Sequence, residues 1–461
     1  MTTVDERDLT QQRDRDRRFH LHANTNPTRF AETGPVMVRR AEGVYLETDD
    51  GHRVIDGMSG GWCTNVGYGD PRLVAAASEA MQQLSYQLTF GGRTNAWVAD
   101  LSARMAEVTP EQYDQFFYAS TGSDAVESAI KIALYYWHLR GIPTKRAIIG
   151  RDLAYHGNTI FATHLVGSPD AGKQYGFPLT DVVSRTASPY WYRFGRDRDP
   201  GEFGLDAARA LEAEILRLGP DNVAAFIGES IQATLGLIVP PDTYWPEIRR
   251  ICDRYDVLLI ADEVVTGMGK TGRMFGFETY GFEPDLFTLA KGFTSGYFPM
   301  SCVAVGAKVG DALRASDQVL AHGFTNCGHP VGAAVALANL DVILGDGLVE
   351  RAAGPIGARL AERLAELTRH AAVGRVDAVG IIGSVELDLS RIDDSATIAD
   401  SVAFGAEVGE IAWSLGLHAR PIGTTFGMMF PMIITEDQVD AAGEILHAAI
   451  ERATAEWSAR R

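Results

Sequence analysis

The sequence predicts an α/β protein, a mostly parallel sheet covered by helices, on three observations. From about residue 115 to 306, apolar β-type runs alternate with stretches of helical periodicity. Those runs are hydrophobic almost without interruption, as strands buried on both faces are. Between the first two of them Val126, Ala129, Ile130, Ala133, Leu134 and Trp137 recur at i, i+3, i+4, i+7, i+8 and i+11, which is one apolar stripe on a helix.

Taken in order, residues 44–47 and 54–56 flank Asp49-Asp50-Gly51 and read as a hairpin. Two strands cannot stand alone, so partners are expected from the C-terminal part of the chain. Strands are then expected over 115–119, 146–150, 223–229, 257–264, 286–290 and 302–306. The striped helix is preceded by Ser120, Thr121, Gly122, Ser123 and Asp124, residues that cap a helix or let a backbone approach an anion. The alternating basic and acidic run 193–199 reads as a solvated loop. From about 335 to 370 an Ala/Leu-rich pattern predicts one long helix, followed by a break at 374–383, an alternating stretch at 384–389 and a further helix. This tail reads as a separate α+β unit.

Composition narrows the function. With 42 basic and 60 acidic side chains in 461 residues the net charge is -18, which repels a phosphate backbone, so no nucleic-acid partner is expected. Apolar runs such as 257–261 are far too short to span a bilayer, and no membrane partner is expected. Cys63, Cys252, Cys302 and Cys327 form no CxxC pair, which suggests free thiols in a reducing, cytoplasmic setting. The first 22 residues are dense in charge and hold no apolar run, so no secretory signal is expected. His138, His156, His164, His322 and His329 show no pair at ligand spacing, and no metal is expected.

Residues 267–272, Gly-Met-Gly-Lys-Thr-Gly, satisfy two nucleotide motifs literally and neither in context. A P-loop needs glycine where Val264 stands, and a dinucleotide fingerprint must open a helix, whereas 273–285 holds Gly276, Gly281 and Pro284. Four other features make sense around one cofactor. Asp262 ends an apolar strand, where ligands of parallel sheets bind, though a buried structural Asp paired with Arg or with a helix N-terminus would look the same. Lys291 ends the next strand; desolvated, its amine would be neutral and nucleophilic, as a Schiff base requires. Gly122 and Ser123 open the helix, where free N–H groups favour phosphate. Tyr155-His156-Gly157 places an aromatic pair after the second strand.

With these residues the chain resembles the class III aminotransferases, the ω-transaminase branch of the fold-type I enzymes dependent on pyridoxal 5'-phosphate. The likeness runs in register through 62–69, 121–127, 155–158, 261–272, 289–296, 322–330 and 420–423. It implies a large cofactor-binding domain over 76–330 and a smaller α+β domain formed by both termini, from an arm and segment at 1–75 and from 331–461.

The resemblance implies a role for each residue. Lys291 would hold the cofactor covalently and later shuttle a proton; Asp262 would pair with the pyridine nitrogen. Tyr155, with His156 beside it, would stack on one face of the ring and Val264 support the other. Gly122 and Ser123 would bind the phosphate, and Thr325 would reach the phosphate of the partner subunit, which implies a homodimer. Gln232 would contact the phenolic oxygen, and Glu229 would order the site. Arg420 would bind a substrate carboxylate, with Trp62 and Phe90, from the 86–90 segment, at the pocket mouth. The implied reaction moves an amino group from a primary amine or ω-amino acid to a keto acid, with pyruvate the expected acceptor, through a pyridoxamine phosphate form.

The alternatives are another class III reaction (aminomutase, racemase or decarboxylating transaminase), a catalytically silent binding protein on this fold and, more distantly, a nucleotide-binding enzyme. The chain departs from the family pattern at three points. Ser230 follows Glu229 where proline is usual, Met268 and Lys270 stand for Phe and Arg, and 23–26 lacks the usual aromatic, which predicts a wider or more polar wall there.

Overall fold

The computed structural model describes residues 9–168, 171–176 and 182–460. Its strands run in chain order as β1 (Val38–Glu42), β2 (Tyr45–Thr48), β3 (Arg53–Asp56), β4 (Tyr113–Ala119), β5 (Ala147–Arg151), β6 (Val183–Thr186), β7 (Val223–Glu229) and β8 (Leu258–Asp262). The second half adds β9 (Leu286–Leu289), β10 (Ser301–Gly306), β11 (Val373–Val379), β12 (Ile382–Leu387), β13 (Leu417–His418), β14 (Arg420–Ile422) and β15 (Thr425–Met429).

The central sheet has the order β4-β10-β9-β8-β7-β5-β6. Only β10 runs against its neighbours, so six strands end on one side and β10 begins there. The period-two alternation of a strand explains its unbroken apolar runs. On β8, Leu258 and Ile260 face one core with Ile148, Ile227 and Val303, beneath the helix Gly122–Leu139. Leu259 and Ala261 face the other, with Phe226, Phe287 and Trp245. Val126, Ala129, Ile130, Ala133 and Trp137 of the striped helix are all buried, with Leu134 at the stripe's margin.

The hairpin β2-β3 finds its partner in the C-terminal part, as β3 lies parallel to β13. Three expectations need correction. The pattern over 335–370 is three helices, Pro330–Gly345, Leu348–Ala353 and Pro355–Leu367, because Gly347 takes a left-handed φ of 62° and Pro355 opens a new helix. The break at 374–383 is largely the half-exposed strand β11, hidden by its glycine and charged residues and fixed by pairing with β12. The run 193–199 is not simply solvated: Arg193 pairs with Glu386 and Arg196 with Asp388, which ties this loop to β12 and the residue after it. The short strand β6, Val-Ser-Arg-Thr, has too little apolar character to predict and exists as the edge partner of β5.

Candidate active site

Every functional side chain on the central sheet follows from that one-sided ending of strands. A cavity of about 380 Å³ lies there, lined among others by Thr121, Tyr155, Glu229, Asp262, Lys291 and Met300. These come from beyond the ends of β4, β5, β7, β8 and β9 and from just before β10, so the antiparallel strand closes the ring of contributors.

Thr121 caps the helix Gly122–Leu139 reciprocally, its hydroxyl accepting from Asp124 N at 3.1 Å while Asp124 accepts from Thr121 N at 3.0 Å. The amides of Gly122 and Ser123 remain at the helix start, on the cavity wall. Glycine at 122 leaves room beside Val264, since a Cβ there would stand 3.1 Å from Val264 Cγ1, closer than most Cβ contacts. Glycine is required at 157, where φ is 127° and a Cβ would meet Ser123 Oγ at 2.4 Å. Ser123 Oγ accepts there from Asn158 N at 3.1 Å, which locks the Tyr155–Asn158 loop to the helix start. Gly157→Ala is therefore expected to cost on the order of 1–3 kcal/mol locally and to weaken phosphate binding. A cofactor titration by fluorescence in wild type and variant checks this.

Asp262 is buried and fully engaged. His156 Nδ1 lies 2.7 Å from its Oδ2, while Val264 N and Thr288 Oγ1 donate to Oδ1 at 3.1 and 3.2 Å. Its partner is thus a histidine and not the arginine of the structural alternative. Glu229 sits directly across from Asp262 in the β7-β8 register and accepts from Tyr155 N at 3.1 Å. Behind it the buried Arg151 donates to the Glu229 carbonyl at 2.5 Å and to its carboxylate at 3.3 Å. Burial nevertheless pushes the Glu229 carboxyl above its ordinary value. Arg151 was not legible as part of the site; its only signal is a charged residue at the end of an apolar strand.

Lys291 follows β9 with φ of 46°, a left-handed conformation that an unbranched residue adopts only at a cost. Burial lowers its pKa from the ordinary lysine value, against the opposing pull of Asp262. Its Nζ stands 5.8 Å from the centre of the Trp62 ring, and the Arg420 guanidinium lies 6.0 Å from the same ring. Trp62 is buried and also left-handed, at φ 65°. Arg420 lies on β14, paired through its backbone with Gly427, and its guanidinium has no hydrogen bond or ion pair among the described residues.

Five expected residues are outside the lining of this cavity: Trp62, whose ring lies near Lys291, Arg420, which lines a separate groove with Trp413, Ala419 and Pro421, and Gln232, Phe90 and Thr325. Gln232 is outside its lining: its side-chain oxygen accepts from Ser188 Oγ at 2.8 Å and its amide donates to the Asp152 carbonyl at 2.9 Å. Phe90 is 44% exposed and lies in a separate groove with Val319, Leu320 and Gly323. Thr325 is exposed, its carbonyl accepting from Tyr86 Oη at 3.0 Å. The departures have physical answers. Ser230 donates to the buried Glu263, a bond proline could not make. The wholly buried Lys270 amine has no hydrogen-bond partner among the described residues, and burial pushes it down to about 7.

The residues present fit pyridoxal phosphate: a desolvated lysine amine, a buried carboxylate, an aromatic wall and a helix start cleared by glycine surround one space of suitable size. Fold and site together define a fold-type I enzyme that uses this cofactor. The family model for aminotransferase class-III matches residues 29–450, and the chain belongs to that family. The putrescine–pyruvate aminotransferase of Pseudomonas aeruginosa is 39% identical over 424 residues, 92% of each chain. A thermostable (S)-enantioselective omega-transaminase from Thermomicrobium roseum matches with a TM-score of 0.92 and 37% identity, over 98% of this chain and 100% of that one. The omega transaminase from Pseudomonas jessenii in complex with PMP matches with a TM-score of 0.92 and 33% identity, over 96% and 98%. The protein is a class III aminotransferase that uses pyridoxal phosphate to move an amino group to a keto acid.

Proposed function

We propose that the donor is a primary amine or ω-amino acid and the acceptor pyruvate. The observation that carries this is Arg420, an unpaired guanidinium beside Trp62 and electrostatically coupled to Lys291 and Tyr155. A planar fork left without a carboxylate suits the carboxylate of a keto acid. Pyridoxal phosphate supplies an aldehyde that condenses with amines and a ring that delocalises negative charge. Lys291 would hold it covalently, and its Nζ, desolvated in the cavity, would move the proton at the amine-bearing carbon of the substrate. Asp262 would keep a proton at the ring nitrogen, with His156 fixing the carboxylate's orientation. Tyr155 and Val264 would confine the ring between them, Gly122 and Ser123 would bind its phosphate, and Glu229 would order the polar edge.

Arg420→Ala is expected to lower kcat/KM for pyruvate by about 10- to 150-fold, the worth of a charge-assisted hydrogen bond of roughly 1.5–3 kcal/mol. An uncharged amine should lose far less. Separate stopped-flow half-reactions make the comparison, and equal losses in both would remove Arg420 from this role.

The active unit in this reading is a homodimer. Thr325, Phe90, Leu88, Val319 and Leu320 form a partly apolar exposed region, and covering it with a second copy would bring Thr325 to the partner's phosphate and Phe90 to the partner's pocket mouth. Residues 76–330 serve as the cofactor-binding domain, and 1–75 with 331–461 as the smaller one. The free cysteines favour a cytoplasmic setting, and no single described helix is long and apolar enough to cross a membrane.

A further inference from the structure

The N-terminal arm carries a cluster that transamination does not use. The helix Leu9–Phe19 buries none of its residues and is moored by Arg13, whose guanidinium lies 2.6 Å from Asp49. At its far end the chain turns back so that Asp16 meets two histidines. His20 Nδ1 lies 2.9 Å from one carboxylate oxygen and His22 Nε2 lies 2.6 Å from the other. The His22 ring rests 4.2 Å from that of Phe30, on the next helix, Pro27–Thr33, which Asn26 caps. His20 and His22 stand outside the five histidines whose spacing excludes a metal pair; His20-Leu21-His22 is the spacing that would have signalled one.

We propose that Asp16, His20 and His22 form a binding site for a divalent transition cation of the zinc class. One donor atom from each residue lies within 4.8 Å of the other two, a spread that a modest inward movement brings to coordination distance. Two imidazole nitrogens and one carboxylate oxygen select such a cation over magnesium or calcium, which take oxygen ligands. The side chains of Asp16 and His22 are about one-quarter exposed and that of His20 nearly two-thirds, which leaves one side open for water or a fourth ligand. On binding, the ring nitrogens that face Asp16 become the ligand atoms, and the cation replaces their two contacts with that carboxylate. A cation there joins the helix Leu9–Phe19 to the segment leading into Pro27–Thr33 and so fixes the course of the arm. The site lies apart from the cofactor cavity and owes nothing to the substrate assignment.

The test uses untagged full-length holoenzyme, stripped with a chelator and titrated with zinc chloride by calorimetry. One zinc per chain is expected, unaffected by excess magnesium. His20→Ala, His22→Ala and Asp16→Asn should each weaken binding by about tenfold or more, with melting temperature and transaminase rate unchanged because none of the three is in the core. Zinc should also slow tryptic cleavage at Arg13, Arg15, Arg17 and Arg18 in wild type but not in the variants. Absence of saturable binding, or binding that all three variants leave intact, overturns the proposal.

Discussion

Lys291→Ala is expected to lower amino transfer to pyruvate by at least roughly 10²–10⁴-fold, the range that a positioned general acid–base group supplies. Lys291 is given two tasks, holding the cofactor and moving a proton, and no other amine on the cavity wall can take over. The nearest candidate, Lys270, is buried in the 267–272 loop and is not among the lining residues. Alanine at 291 keeps the left-handed backbone but removes a desolvated amine, so the fold should survive and the apoprotein's melting temperature should change little. A small added amine such as methylamine should restore part of the rate by occupying the vacated space. Loss of rate with loss of the folded state would be uninformative about chemistry, which is why calorimetry accompanies the assay. Full activity in a folded Lys291→Ala variant would remove the residue from the mechanism.

Asp262→Asn is expected to give the second-largest loss, roughly 10²–10³-fold in the amine half-reaction, while still allowing cofactor to bind. The substitution is close to isosteric. The amide oxygen can go on accepting from Val264 N and Thr288 Oγ1, so the end of β8 keeps its shape. What disappears is the negative charge that, in the proposed role, would keep a proton on the ring nitrogen. The bond from His156 would be altered too, since that oxygen position faces its Nδ1 at 2.7 Å. His156→Asn, which retains the Asp262 charge, should cost less than Asp262→Asn; the reverse order, measured by stopped-flow at saturating amine, would make the histidine the principal group.

The parts of this molecule legible in the sequence are those set by local pattern. The strand Val223–Glu229 reads to the residue because all seven positions are buried, and the striped helix reads because its face is continuous. Asp262 and Lys291 stand out because each follows an apolar strand in a parallel sheet, where strand ends converge. What the sequence hides is partnership across distance. Arg151 meets Glu229 from 78 residues away, and His156 meets Asp262 from 106. β11 is held by its neighbour in the sheet and not by its own composition, and the pairing of Arg193 with Glu386 exists only once two distant segments dock. Short spacing can also be overlooked, as with His20 and His22, where the meaning depends on Asp16 one helical turn earlier.

The most direct test of the account is the absorbance spectrum of the purified holoenzyme through one full cycle. Amine alone should discharge the band of the lysine-bound cofactor, and pyruvate added after removal of the amine should bring it back, in wild type but not in Lys291→Ala. If amine discharges the band and no keto acid ever restores it, the cofactor assignment stands and amino transfer through two half-reactions is contradicted.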